Sequence, residues 1–204
     1  KGRLVSIESE NQGKTLALAT LDIEFSIDNL RFFAGACRAL TSTAAGNLTV
    51  SLAADTPAAG YAFASAARVP FTKVVFKAGD ADVTVDSFKV KRAGSAAVDA
   101  DFSAINVVDP DGNLLNDSGK TPNSDHEVTF TENLVIPAGT SETYILVGDM
   151  AAAATLVAGN APKLALTAVT LVGTGTVTGL PAEGNAMTTN ESLTLGTVTL
   201  AEGS

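Results

Sequence analysis

The sequence has no tryptophan, one cysteine, one histidine and only 5% aromatic residues among 204. Each scarcity excludes something. With Cys37 alone no intrachain disulfide can form, so the fold must rest on its core. Lys and Arg total 13 against 22 Asp and Glu, a formal net charge of −9, and no basic stripe exists to follow a nucleic-acid backbone. No stretch reaches the ~18 apolar residues that read as a membrane-spanning helix. The sole histidine, His126, precedes a strand pattern, and no G-x-S-x-G elbow accompanies it. The nucleophile–base pair of a hydrolase therefore has no visible form. Tyr61 and Tyr144 are the only tyrosines, which leaves little to stack against a sugar.

What the chain has in abundance is small and β-branched apolar residues: 46% are hydrophobic against 17% charged. The pattern changes near residue 47. Before it, Ile23, Ile27, Leu30, Ala34 and Cys37 recur at helical spacing, with Phe33 and Leu40 beside them. This predicts an amphipathic helix over about 22–40, with Asp22 as its N-cap and Thr41, Ser42, Thr43 and Gly46 as stop signals. From Leu48 the period becomes two. Strands are predicted at 48–52, 71–77, 82–92, 104–108, 127–131, 143–147, 163–172, 175–178 and 193–200. Turn clusters separate them at 78–80, 109–113, 137–139 and 181–184, and residues 151–154 read as a helical turn in a connection. Many short strands with no strand–helix alternation predict a mainly β, antiparallel sandwich or barrel, not a doubly wound parallel sheet. The expected organisation is an N-terminal extension, 1–46, carrying the helix, followed by a β-domain, 47–204.

One loop has the composition of a cation site. In D-P-D-G-N, residues 109–113, the oxygens of Asp109, Asp111 and Asn113 alternate in a short turn, as calcium accepts. The EF-hand spacing is not met, because Lys120 stands where its closing Glu belongs. The same residues also make ordinary turns. Asp80 and Asp82 form a second, weaker carboxylate pair. No other cofactor is expected.

Two stretches resemble known families. LTVSLAADTPAAG, FTKVVFKAGDADVTVDSFKVKRAG, AINVVDPDGNLL and LVIPAGTSETYILVGDMA, in that order within residues 48–200, resemble the β-rich repeat domains of large bacterial surface and S-layer-like proteins. That resemblance implies an immunoglobulin-like sandwich repeated along an extracellular stalk, layer or filament, and no catalytic residue. With the helix read from the periodicity, the expected fold is a mainly β, immunoglobulin-like antiparallel sandwich with an N-terminal amphipathic helix. Residues 11–46, with Arg31, Phe32, Phe33, Ala34, Gly35 and Ala36, resemble a packing helix of aldehyde dehydrogenases. In that family the segment carries neither nucleophile nor general base. No glycine-rich cofactor motif follows a strand elsewhere in the chain, so dehydrogenase activity is not expected.

The expected function is that of a non-enzymatic structural or assembly module of a bacterial surface layer, stalk or filament. The alternative is an adhesin-type domain that binds protein or glycan. Self-association is expected from an internal echo: residues 47–53 open the β-domain with the Thr-Val-Ser-Leu-Ala alternation that Thr-Val-Thr-Leu-Ala repeats at 197–201. A closing strand of one copy, or the N-terminal residues 3–7, would complete a sheet in the next copy and give a head-to-tail polymer.

Overall fold

The computed structural model of the chain describes residues 2–41, 46–116 and 118–192, with 34–41 as backbone only. The strand expected at 193–200 lies outside the described residues. The chain divides into two compact units, Lys1–Ala44 and Ala45–Ser204.

The first unit is a helical hairpin, α1 (Gly2–Gln12) and α2 (Leu16–Thr41). Gly13, at φ +63°, makes the left-handed turn that ends α1. Helix α2 starts six residues before Asp22. Thr15 is its cap: the Thr15 Oγ1 accepts from Leu18 N at 3.4 Å and the Thr15 carbonyl accepts from Ala19 N at 3.0 Å. Asp22 instead sits inside the helix and accepts from Lys14 Nζ at 2.6 Å. Residues 3–7, expected as a donor strand, are helical. In the run that follows them Glu8, Glu10 and Gln12 favour a helix, and Val5 is buried, as is Ala19 of α2.

The second unit is a β-sandwich. Its elements are β1 (Leu48–Leu52), β2 (Gly60–Phe63), β3 (Val69–Ala78), β4 (Val83–Ser95), β5 (Phe102–Val108), β6 (Glu127–Ile136), β7 (Ser141–Met150), β8 (Ala161–Leu171), β9 (Val177–Thr178), β10 (Ala182–Glu183) and β11 (Met187–Asn190). One sheet runs β5-β7-β3-β1-β9 and the other β10-β8-β4-β6. A small pair, β11-β2, stands apart. In immunoglobulin lettering the first sheet is D-E-B-A, with β9 added beyond A, and the second G-F-C, with β6 added outside C. The long pairings are antiparallel, whereas β1–β9 and β2–β11 are parallel.

The sparse aromatics are concentrated where the sheets meet. Tyr144 packs on Phe76 at 5.2 Å, Phe76 on Phe88 at 6.2 Å and Phe88 on Phe130 at 5.3 Å, a chain that crosses from β7 and β3 to β4 and β6. The buried set along β4 shifts parity between Val85 and Phe88, because a bulge sits between Val85 and Ser87. The bulge keeps both apolar halves of the strand facing inward. Opposite it, Glu132 and Asn133 loop out of β6 between Thr131 and Leu134.

Candidate functional site

The 109–113 loop closes on itself. Asn113 N donates to Asp109 Oδ1 at 2.8 Å, Asn113 Nδ2 to Asp109 Oδ2 at 3.4 Å, and Asp109 N to the Asn113 carbonyl at 2.9 Å. Gly112, at φ +88°, supplies the turn that this closure requires. Asp109 and Asp111 line an open groove of about 630 Å³ together with Lys73, Leu115, Leu134, Glu142 and Tyr144. Asn113 is not part of its lining. Sequence reasoning missed Glu142, which arrives from β7 and has no motif to mark it.

Tyr144 donates its hydroxyl to Glu142 Oε2 at 2.6 Å. Burial, then this hydrogen bond and the charges of Glu142 and Asp109, push the phenol well above its ordinary value. Among the described residues the one cation in the lining is Lys73, which is held by Asp55 at 2.5 Å. The groove is therefore acidic, and its chemistry suits a cation. Among the described residues no three of His, Cys, Asp or Glu gather closely enough to hold a metal ion. Of the second carboxylate pair, Asp82 accepts from Ala138 N at 2.8 Å and fastens a turn. Because Asp109 organises its loop by itself, Asp109→Ala is expected to cost about 1–2 kcal/mol with or without calcium. Thermal melts in calcium and in chelator check this. A calcium-dependent rise in Tm that Asp111→Ala abolishes would instead assign a cation to the loop.

His126 belongs to a charged pin. Its Nδ1 lies 2.8 Å from Asp99 Oδ2, and Arg92 Nε donates to Asp99 Oδ1 at 2.6 Å. Arg92 Nη1 also donates to the Ala97 carbonyl at 2.6 Å, and Arg92 N to the His126 carbonyl at 2.9 Å. Burial opposes ionisation of Asp99, but the hydrogen bonds from His126 and Arg92 and the Arg92 charge outweigh it and hold the carboxyl below its ordinary 3.8. A depressed carboxyl stabilises the fold above its unfolded value and loses that contribution as pH falls through its folded value. Wild-type stability should therefore drop below about pH 4. Asp99→Asn should be less stable at neutral pH with a flatter acid limb, which urea titrations at stepped pH values measure. An unchanged acid limb would remove Asp99 from the explanation.

The sheet edges differ in how they are guarded. The edge of β5 is bridged by Lys120 at Ile105 and by Leu114 at Val108. At β6, Asn123 Oδ1 accepts from Glu127 N at 3.0 Å, Lys120 Nζ donates to the Thr129 carbonyl at 2.9 Å, and the bulge with Glu132 breaks the rest. Such features discourage pairing. The outer edge of β8 is different. Strand β10 pairs with it only at Ala182–Leu166 and Glu183–Ala165, while β4 follows its other side from Ala161 to Leu171. Among the described residues, 167–171 thus pair on one side alone.

The helical hairpin is equally open. Phe25, Leu30, Phe32 and Phe33 are 62–72% exposed, and Leu16, Leu18 and Leu21 also face water. Of the stripe read from the sequence, Ile23 and Ile27 are half-buried, whereas Leu30 and Phe33 are exposed. Tyr144 is buried and Tyr61 is exposed, stacked on Phe63 at 6.4 Å.

No family model matches the chain, and no curated protein matches it. The likeness of residues 11–46 to aldehyde dehydrogenases gains no support from either. Among solved structures the chain is similar to BslA, a bacterial hydrophobin, at 11% identity and a TM-score of 0.31, over 72% of this chain and 97% of that one. It is also similar to self-complemented MyfA, the major subunit of Myf fimbriae from Yersinia enterocolitica, in complex with galactose. There the identity is 10% and the TM-score 0.23, over 69% of this chain and 98% of that one. Scores this low leave function to be argued from the chain's own residues.

Proposed function

We propose that this chain is a non-catalytic structural module of a bacterial cell surface, extracellular, that polymerises by strand addition. The single observation that carries this reading is the outer edge of β8, where the last strand of the sheet stops after two residues and leaves 167–171 without a second neighbour among the described residues. An unpaired sheet edge is a template for another strand. Residues 193–201 are rich in Leu, Thr and Val, with Leu193 and Leu195 in one parity and Val198 and Leu200 in the other across Gly196, and have the composition of a strand that could fill it. Donor and acceptor are different surfaces of one chain, so the contact between copies is heterologous and extends into a filament unless the rotation closes. Each backbone hydrogen bond gained adds about 0.5–1.5 kcal/mol net, enough for a short strand to hold neighbours together.

Deleting residues 193–204 tests the reading by sedimentation. The full chain is expected to form polymers and the shortened chain to remain a folded species that no longer forms the filament. A monomeric full chain, together with unfolding of the shortened one, would show instead that the segment completes its own sandwich.

A further inference from the structure

We propose that the exposed face of α2 is a docking surface for the α2 of a second copy, in antiparallel orientation. Leu18, Leu21, Phe25 and Phe32 are 54%, 61%, 72% and 69% exposed. Their spacing of three, four and seven residues places them on one face of the helix, as the a and d positions of a heptad, with Asp28 on the remaining d position. Helix α1 leaves this face open: among the described residues the buried one on α2 is Ala19, around the helix from the stripe, and Val5 is its buried counterpart on α1.

Charge selects both the occupant and its direction. Asp22, Glu24 and Asp28 crowd the first part of α2 and Arg31 follows them. If Leu21 meets Phe32 of the partner subunit, Glu24 falls beside Arg31 of the partner subunit, and two-fold symmetry repeats the pair. A parallel arrangement would set Asp28 against Asp28 of the partner subunit. Antiparallel packing separates the two carboxylates, each of which stays beside its own Arg31 at 3.4 Å. The same acidic flank disfavours an anionic bilayer as the occupant.

Area sets the strength. Two phenylalanines of about 200 Å² each, exposed as above, leave roughly 280 Å² of ring surface in water per copy. With Leu18 and Leu21 the stripe reaches roughly half of the ~800 Å² per partner of a standard interface. The pairing is therefore weak alone, with a Kd on the order of 10–100 μM. It becomes effective where strand addition already holds many copies together. Being two-fold, it joins filaments side by side.

Cysteine cross-linking tests this in the full chain. In a Cys37→Ser background, Leu21→Cys and Phe32→Cys are oxidised separately and mixed. The expected result is a cross-linked dimer in the mixture and little in either alone. Arg31→Glu should lower the yield several-fold and Glu24→Arg with Arg31→Glu should restore it; at 200 μM, above the Kd of the pairing alone, the cross-link should persist after deletion of residues 193–204. Cross-linking of Leu21→Cys with itself would overturn the antiparallel geometry, and no cross-link at 200 μM would overturn the docking surface. So would binding of the chain to phosphatidylcholine–phosphatidylglycerol vesicles that replaces the cross-link. None of these outcomes bears on strand addition, which is read from the polymer that the deletion removes.

Discussion

Phe76→Ala is expected to lower the stability of the sandwich by about 3–5 kcal/mol, a fall in Tm of roughly 10 °C or more. Phe76 is 1% exposed and touches Tyr144 within its own sheet and Phe88 in the opposite one. Its loss leaves a cavity where the sheets meet, and no tryptophan elsewhere compensates. Phe76→Leu, which keeps most of the volume, should cost less than half as much. Urea denaturation of the three proteins measures both differences. A loss below about 1 kcal/mol for the alanine variant would mean that this aromatic chain is not the centre of the core.

Asp101→Ala should cost about 3 kcal/mol, although the residue lies in a short 3-10 turn (Asp99–Asp101) that carries no motif. Its carboxylate is fully buried and accepts from Asn160 Nδ2 at 2.9 and 3.1 Å and from Val98 N at 3.0 Å. Removing it strands the buried Asn160 amide, worth about 1–3 kcal/mol when left unpaired, and also costs the bond from the N–H of the more exposed Val98. Asp101→Asn should recover part of the loss, because its amide oxygen still accepts one bond. The Asn160 connection lies just before β8, so hydrogen exchange of β8 amides should accelerate in the alanine variant. Unchanged stability and exchange would show that water replaces the carboxylate without penalty.

Strands β3, β5, β7 and β8 are legible in the sequence because runs rich in β-branched and apolar residues lie between clear turns; burial alternates along most of β3, whereas β5, β7 and β8 each bury three residues in a row. In β4 the alternation breaks parity at Asp86, and only a bulge reconciles Val83 and Val85 with Phe88 and Val90. Strands β2 and β11 were not legible: each has four residues, and they are strands because Gly60–Phe63 pairs with Met187–Asn190 from the far end of the chain. No local pattern encodes such a partner. The helix was legible, but its start was not, since Thr15 caps it ahead of the more conspicuous Asp22. Residues 3–7 alternate well enough to suggest a strand, yet the polar helix-forming residues after them decide the conformation. The apolar positions on α2 run around more than one face, and the sequence stripe through Ile23 and Ile27 drew attention from the more exposed one through Phe25 and Phe32. Of the loop residues, Asp109 and Asp111 do line a groove, but Glu142 and Tyr144 complete it from a strand paired in the same sheet as β5.

The most direct measurement is photo-cross-linking from the β8 edge. A benzophenone amino acid at Thr170, which is exposed, is activated in an assembly mixed from unlabelled and ¹⁵N-labelled copies, and the joined peptides are identified by mass. Strand addition predicts cross-links between Thr170 of one copy and residues 193–201 of another, including pairs of mixed isotope. Cross-links confined to peptides of a single isotope, or none to residues 193–201, would contradict it.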